Sequence, residues 1–175
     1  MAIPSNSGRF GLVGPRDLLD KLQFDRARLS ATNDRRAIVY AILDCAITVW
    51  SFNDWCIEWF RDKGRAAEEV TKELRERVPL LSTCELIATS AKHFIIRRKD
   101  SGDLHTSIMG IHTKDFNAGE IVRNSEYYGA IFHNGQSWDA VDLFVETELS
   151  LARYLQEHGI DQLSGAIRYE WDPDK

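Results

Sequence analysis

From Ala37 to Phe60 the chain reads Ala-Ile-Val-Tyr-Ala-Ile-Leu-Asp-Cys-Ala-Ile-Thr-Val-Trp-Ser-Phe-Asn-Asp-Trp-Cys-Ile-Glu-Trp-Phe, a run that is apolar on nearly every side. Thr32-Asn33-Asp34 in front of it offers side chains that cap a helix start, and Gly64 stands where a left-handed stop belongs. One helix from about Asp34 to Asp62 follows, and its apolar circumference predicts that other elements pack around it. Its length also raises a membrane span. Asp44, Asn53, Asp54 and Glu58 argue against that reading, since acidic groups are costly at bilayer depth. The run is therefore read as the central helix of a soluble core, with no membrane partner.

The rest of the 175 residues is sized to this helix: a chain of this length and 43% hydrophobic content buries one real core and is short for two. Residues 15–160 are read as a single α+β domain, residues 1–14 as a disordered arm and residues 161–175 as a C-terminal tail. The 22 Lys and Arg against 27 Asp and Glu give a net charge of -5, so no global positive field holds a polyanion and any RNA or phosphate contact is local. Cys45, Cys56 and Cys84 all fall in apolar helical pattern and form no C-x-x-C pair, which reads as core thiols in a reducing, cytoplasmic setting. Met1 to Gly14 carries no charged start followed by an apolar block, unlike a secretory signal.

Around the central helix the periodicity places further elements. Pro15 opens an amphipathic helix with Leu18, Leu19, Leu22, Arg26 and Leu29 on one stripe. Ala67, Val70, Leu74 and Val78 keep a narrow stripe through a highly charged surface helix, and Pro79 resets the backbone before a short helix through Leu81, Cys84, Ile87, Ala88 and Ala91. Beyond His93 the pattern becomes alternating. Phe94-Ile95-Ile96, the turn-prone Asp100 to Asp103, and Leu104 to Ile111 suggest a hairpin, followed by an irregular stretch around Asn117 to Gly119. Tyr127 to Phe132 and Ser137 to Ala140 form a second hairpin across Asn134-Gly135. A last helix runs from Asp139 or Val141 to His158, with Val141, Phe144, Val145, Leu149, Ala152 and Leu155 inward and Gly159 closing it. The predicted fold is α+β: a helical bundle around a long central helix, then a small antiparallel sheet and a C-terminal helix.

Candidate chemistry is sparse. Asp44, Thr48, Ser51, Asp54 and Glu58 share one sector of the central helix, whereas Asn53 lies on its apolar side, where an unpaired amide costs about 1 to 3 kcal/mol, so a partner is expected to reach it. His93, with Lys92 before it, sits at a helix C-terminus that favours an imidazolium. Were Asp54 or Glu58 to reach that end, carboxylate, imidazole and ammonium would form a set able to move protons or hold phosphate. Arg97 and Arg98 could extend it, and a small ligand under the Trp-bearing helix could use Asn53 or Asp54. His105, His112 and His133 match no metal spacing and read as scattered surface histidines; neither a metal nor a cofactor is expected. Trp50, Trp55 and Trp59 read as aromatic core.

The combination of Val49 to Trp55 with Cys84 to His93, followed by strands and a closing helix, resembles an uncharacterised family of small bacterial proteins, with Trp-x-x-x-Asp-Trp and Ala-Lys-His as its distinctive elements. More distantly, a helical core ending in a histidine resembles the HEPN superfamily, whose active members are metal-independent ribonucleases or toxin components. That likeness implies His93 as base on a ribose hydroxyl, with Lys92, Arg97 or Arg98 on the phosphate. Leu86, Ile87 and Ala88 stand seven to five positions before His93, with no Arg among them. The residues themselves favour a non-enzymatic accessory or interaction module that meets another protein or a second copy of itself.

Overall fold

A computed structural model describes residues 12, 14–92, 104–117 and 120–160. The predicted strand at Phe94 to Ile96 and its turn lie outside these residues, as do most of the arm and the tail. Within them the order is α1 (Pro15–Ala31), α2 (Arg35–Arg61), α3 (Ala67–Arg77), α4 (Leu81–Lys92), β1 (His105–Asn117), β2 (Glu120–His133), β3 (Gln136–Asp139) and α5 (Ala140–Glu157). This is the α+β arrangement that the periodicity predicts.

The helix boundaries follow from local chemistry. Gly14 donates its N–H to the Asp17 carboxylate at 2.9 Å, and Pro15 needs no donor in the first turn of α1. Asp34 accepts from the amides of Arg36 and Ala37 at 3.0 and 2.8 Å and so opens α2. Asp139 does the same for α5 through Val141, at 2.8 Å. Gly64 and Gly159 take left-handed φ values of 74° and 64° just past the ends of α2 and α5, where a Cβ would be strained.

α2 is the hub, touching α1, α3, α4, α5 and both long strands. Its Ile38, Ile42, Cys45, Ala46, Val49, Phe52, Cys56 and Phe60 are buried in one apolar cluster with Leu19 and Leu22 of α1, Leu74 of α3, Ile87 of α4, Ile131 of β2 and Phe144, Leu151 and Tyr154 of α5. By length and composition α2 could cross a membrane, but 50% of its most apolar window is buried inside this fold. A core role accounts for that half.

The sheet runs β1-β2-β3, all antiparallel. Asn134 and Gly135, with φ of 51° and 73°, make the tight turn between β2 and β3 that the Asn-Gly pair predicts. Correction is needed on the other side of β2. The stretch read as irregular around Asn117 is ribbon, because β1 and β2 pair continuously from His105↔Phe132 to Asn117↔Glu120. α5 is also turned relative to the expected stripe: Leu149 is 52% exposed, while Thr147 is buried and gives its hydroxyl to the Leu143 carbonyl at 2.8 Å.

Candidate functional site

The corner anticipated at the end of α4 depends on which part of α2 it meets. Ser90, in the last turn of α4, lines a recess with Val39, Ile42 and Leu43 of α2. Asp54 lies eleven residues farther along α2 than Leu43, roughly 16 Å at 1.5 Å per residue, and Glu58 is farther still. The structure therefore does not bring Asp54 or Glu58 to the Lys92 end. His93, Arg97 and Arg98 lie outside the described residues. Asp54 is exposed, and Glu58 pairs with Arg61 at 2.7 Å on the open surface. Such an exposed pair contributes little.

Asn53 is buried as the sequence implies, yet its Oδ1 has no hydrogen-bond partner among the described residues. The expected partner is not supplied by the neighbouring helices. The histidines are not uniformly superficial either: His133 is buried and its Nδ1 lies 2.9 Å from the Thr83 hydroxyl, tying β2 to α4. His105 is exposed and stacks on Phe132, with centroids 4.5 Å apart. Among the described residues no group of three or more His, Cys, Asp or Glu is placed to hold a metal.

Two polar clusters that sequence reading did not single out join the helices. Asp25 of α1 is only 3% exposed and accepts from Lys21 Nζ at 2.5 Å and from the Thr48 hydroxyl of α2 at 2.9 Å. Glu73 of α3 meets Arg65 at 2.7 Å and His158 at 3.1 Å, while His158 packs against Phe60 and Tyr154. Burial works to raise the Glu73 carboxyl, but the hydrogen bond from Arg65 and the nearness of His158 outweigh it and hold the group below the usual carboxylate range. Both clusters are clasps within the fold, each acid held by a cation of the same chain.

A different feature is left without an internal role. At about 100° per residue, Arg36, Val39, Tyr40, Leu43, Ile47, Trp50, Ser51 and Asp54 fall in one arc of α2 roughly 120° wide. α1 borders that arc through Arg28 and Asp44, 3.2 Å apart. Ile87 and Ile108 border it on the far side, across a recess of about 70 Å³. That volume is far below the roughly 300 Å³ at which small-molecule pockets begin. On the floor between these borders Val39 is 38% exposed, Tyr40 61% and Ile47 47%, with Leu43 and Trp50 half-buried. The same flank turns charged toward the C-terminus, where Asp54, Glu58 and Arg61 face water. Among the described residues, the rod expected to be sheathed is thus left uncovered at Val39, Tyr40 and Ile47. Hydrophobic periodicity could not show this, because a helix apolar on every side gives no phase from which to tell the covered faces from the open one.

No family model matches this chain, and neither a curated protein nor a solved structure is similar to it.

Proposed function

We propose that this protein is a non-enzymatic interaction module whose contact surface is the N-terminal half of the open flank of α2. The observation that carries the reading is the change of composition along one helix face. Its C-terminal turns present the Asp, Glu and Arg of an ordinary wet surface, whereas its N-terminal turns present Val39, Tyr40 and Ile47. Contiguous exposed apolar residues framed by polar ones mark surfaces that are covered in use, and large aromatic side chains such as Tyr40 are favoured at contacts.

A photo-crosslinking amino acid at Ile47, incorporated in the cells that make the protein, tests this. Adducts to protein are expected at 47 and not at Lys72, a fully wet position on α3 whose side chain is 79% exposed. Equal yields at both positions overturn the reading. Incubation with labelled RNA separates it from the ribonuclease that the HEPN resemblance implies: cleavage by the native protein that disappears in His93→Ala replaces the interaction module with the enzyme.

A further inference from the structure

We propose that the far half of the β1–β2 ribbon is an arm that binds duplex DNA through one face; this goes beyond the α2 flank and does not depend on it. β2 runs beside α2 only as far as Tyr127. There Arg35, the first residue of α2, lies over the Tyr127 ring at 5.3 Å, and Asn33 just before it accepts the Tyr127 N–H at 2.8 Å. β3 has already ended by that level, since it pairs with β2 from His133 to Ala130. The ladder nonetheless continues for seven more pairs past the start of α2, from Ile111↔Glu126 to Asn117↔Glu120. At roughly 3.3 Å per residue they span about 23 Å.

Successive residues of a strand alternate between its faces, and directly paired residues share a face. By this register the face that carries Gly110 and Tyr127 has His112, Lys114 and Arg123 and no acid, whereas the opposite face has Asp115, Glu120 and Glu126 and no base. The arm's charges are completely sorted. Lys114 and Arg123 are also direct partners across the ladder, a like-charge pairing that weakens a sheet unless an anion meets it. Arg35 continues the basic stripe at the arm's root. A second copy does not fit this face, because a closed twofold contact would set bases on bases. The net charge of -5 does not oppose a polyanion here. Lys114 and Arg123 stand four pairs past Tyr127, about 13 Å at the same rise, and exposed charges are largely screened beyond about 8 Å. The roughly 12 Å major groove of B-DNA admits a two-stranded ribbon, whereas the deep, narrow major groove of duplex RNA does not. Inserted there, the arm turns its basic face to the groove floor, where Arg and Lys read guanine edges, and its acidic face to solvent.

Fluorescence anisotropy of a labelled duplex of roughly 20 base pairs, titrated with the full chain at about 20 mM salt, tests the proposal. Saturable binding is expected, and log K is expected to fall against log salt with a slope of about -2 to -3, as for three cations on phosphates. Lys114→Glu and Arg123→Glu are each expected to weaken binding at least about fivefold. Lys72→Glu makes the same change of net charge on α3, where the side chain is 79% exposed, and is expected to leave binding within about twofold. Each exchange in the arm turns the like-charge pair into an opposite-charge one, so circular dichroism melting is expected to show the fold retained. Absence of binding to the duplex, equal weakening by Lys72→Glu, or tighter binding to duplex RNA overturns the proposal. Capture by phosphatidylserine vesicles without capture of the duplex overturns it too and assigns the face to an anionic lipid surface. None of these results bears on the α2 flank, which the crosslink at position 47 reads separately.

Discussion

Asp25 is the residue on which the α1–α2 contact turns. Its carboxylate is almost wholly removed from water and is balanced by a lysine whose side chain is 45% exposed and by a hydroxyl on the facing helix. Lys21 also donates to Thr48 at 2.6 Å, so three side chains close a ring across the interface. Removing the acceptor leaves the Thr48 hydroxyl without its acceptor, while Lys21 can swing into solvent. We expect Asp25→Ala to lower stability by about 2 kcal/mol, within the range for hydrogen bonds to charged groups, as measured by urea unfolding. A change under about 0.5 kcal/mol would show the ring to be ornamental. The spacing of α1 places position 25 on the leucine stripe, yet nothing in a single sequence tells that an acidic residue there is buried and paired across helices. Asn53 shows the reverse case. Its burial is legible from the phase of α2, but the fate of its amide depends on neighbours far away in the chain.

At the scale of elements, Gly129 of β2 makes a tight contact between the sheet and α2. A Cβ there would lie 2.5 Å from Ile42 Cδ1 and 3.2 Å from both Ala140 Cβ and Ile38 Cγ2. The sheet can approach α2 only because this strand position carries no side chain. Ile42 can turn part of the way aside, but Ala140 cannot, so Gly129→Ala is expected to cost about 1 to 3 kcal/mol, as for overpacked cores. Thermal unfolding followed by circular dichroism measures it; an unshifted midpoint would mean that the layers have slack. The caps of α2 and α5 and the Asn134-Gly135 turn were legible because each rests on two or three adjacent residues. The inward face of α5 was less so. Both Leu149 and Thr147 fit a helical repeat, and the choice went to the face turned into the core, where Thr147 returns its hydroxyl to its own backbone beside Cys84 of α4. The far end of the β1–β2 ribbon, around Asn117, was read as irregular because its polar and charged residues lack clean alternation, so its strand character comes from the partner across the ladder rather than from its own pattern.

Across the whole molecule, the core holds three thiols and a tyrosine hydroxyl. Burial pushes Cys45 and Cys56 each up to about 12 from an ordinary 9, and it raises Cys84 and Tyr154 as well. A raised thiol favours the folded state while it is neutral, so its contribution is complete below the unfolded value near 9 and is lost as pH rises from there through the folded value. Stability is therefore expected to decline between pH 9 and 12, by up to about 1.4 kcal/mol per pH unit for each buried thiol. Urea unfolding at pH 8, 9 and 10 checks this, with Cys45→Ala/Cys56→Ala giving a shallower decline; a flat profile in the native protein would mean that the thiols ionise without unfolding. The sequence dictates the apolar rod, the caps and turns that bound the helices, the order of helices before sheet, and the inertness of thiols set in apolar pattern, because each depends on residues within a few positions of one another. Which side of the rod stays open, that Asp54 and Glu58 stand well along the rod from the end of α4, and that Asp25 and Glu73 become interhelical clasps were settled in three dimensions. A helix that is apolar all round carries no phase, and only the placement of its neighbours selects the face left to meet something else.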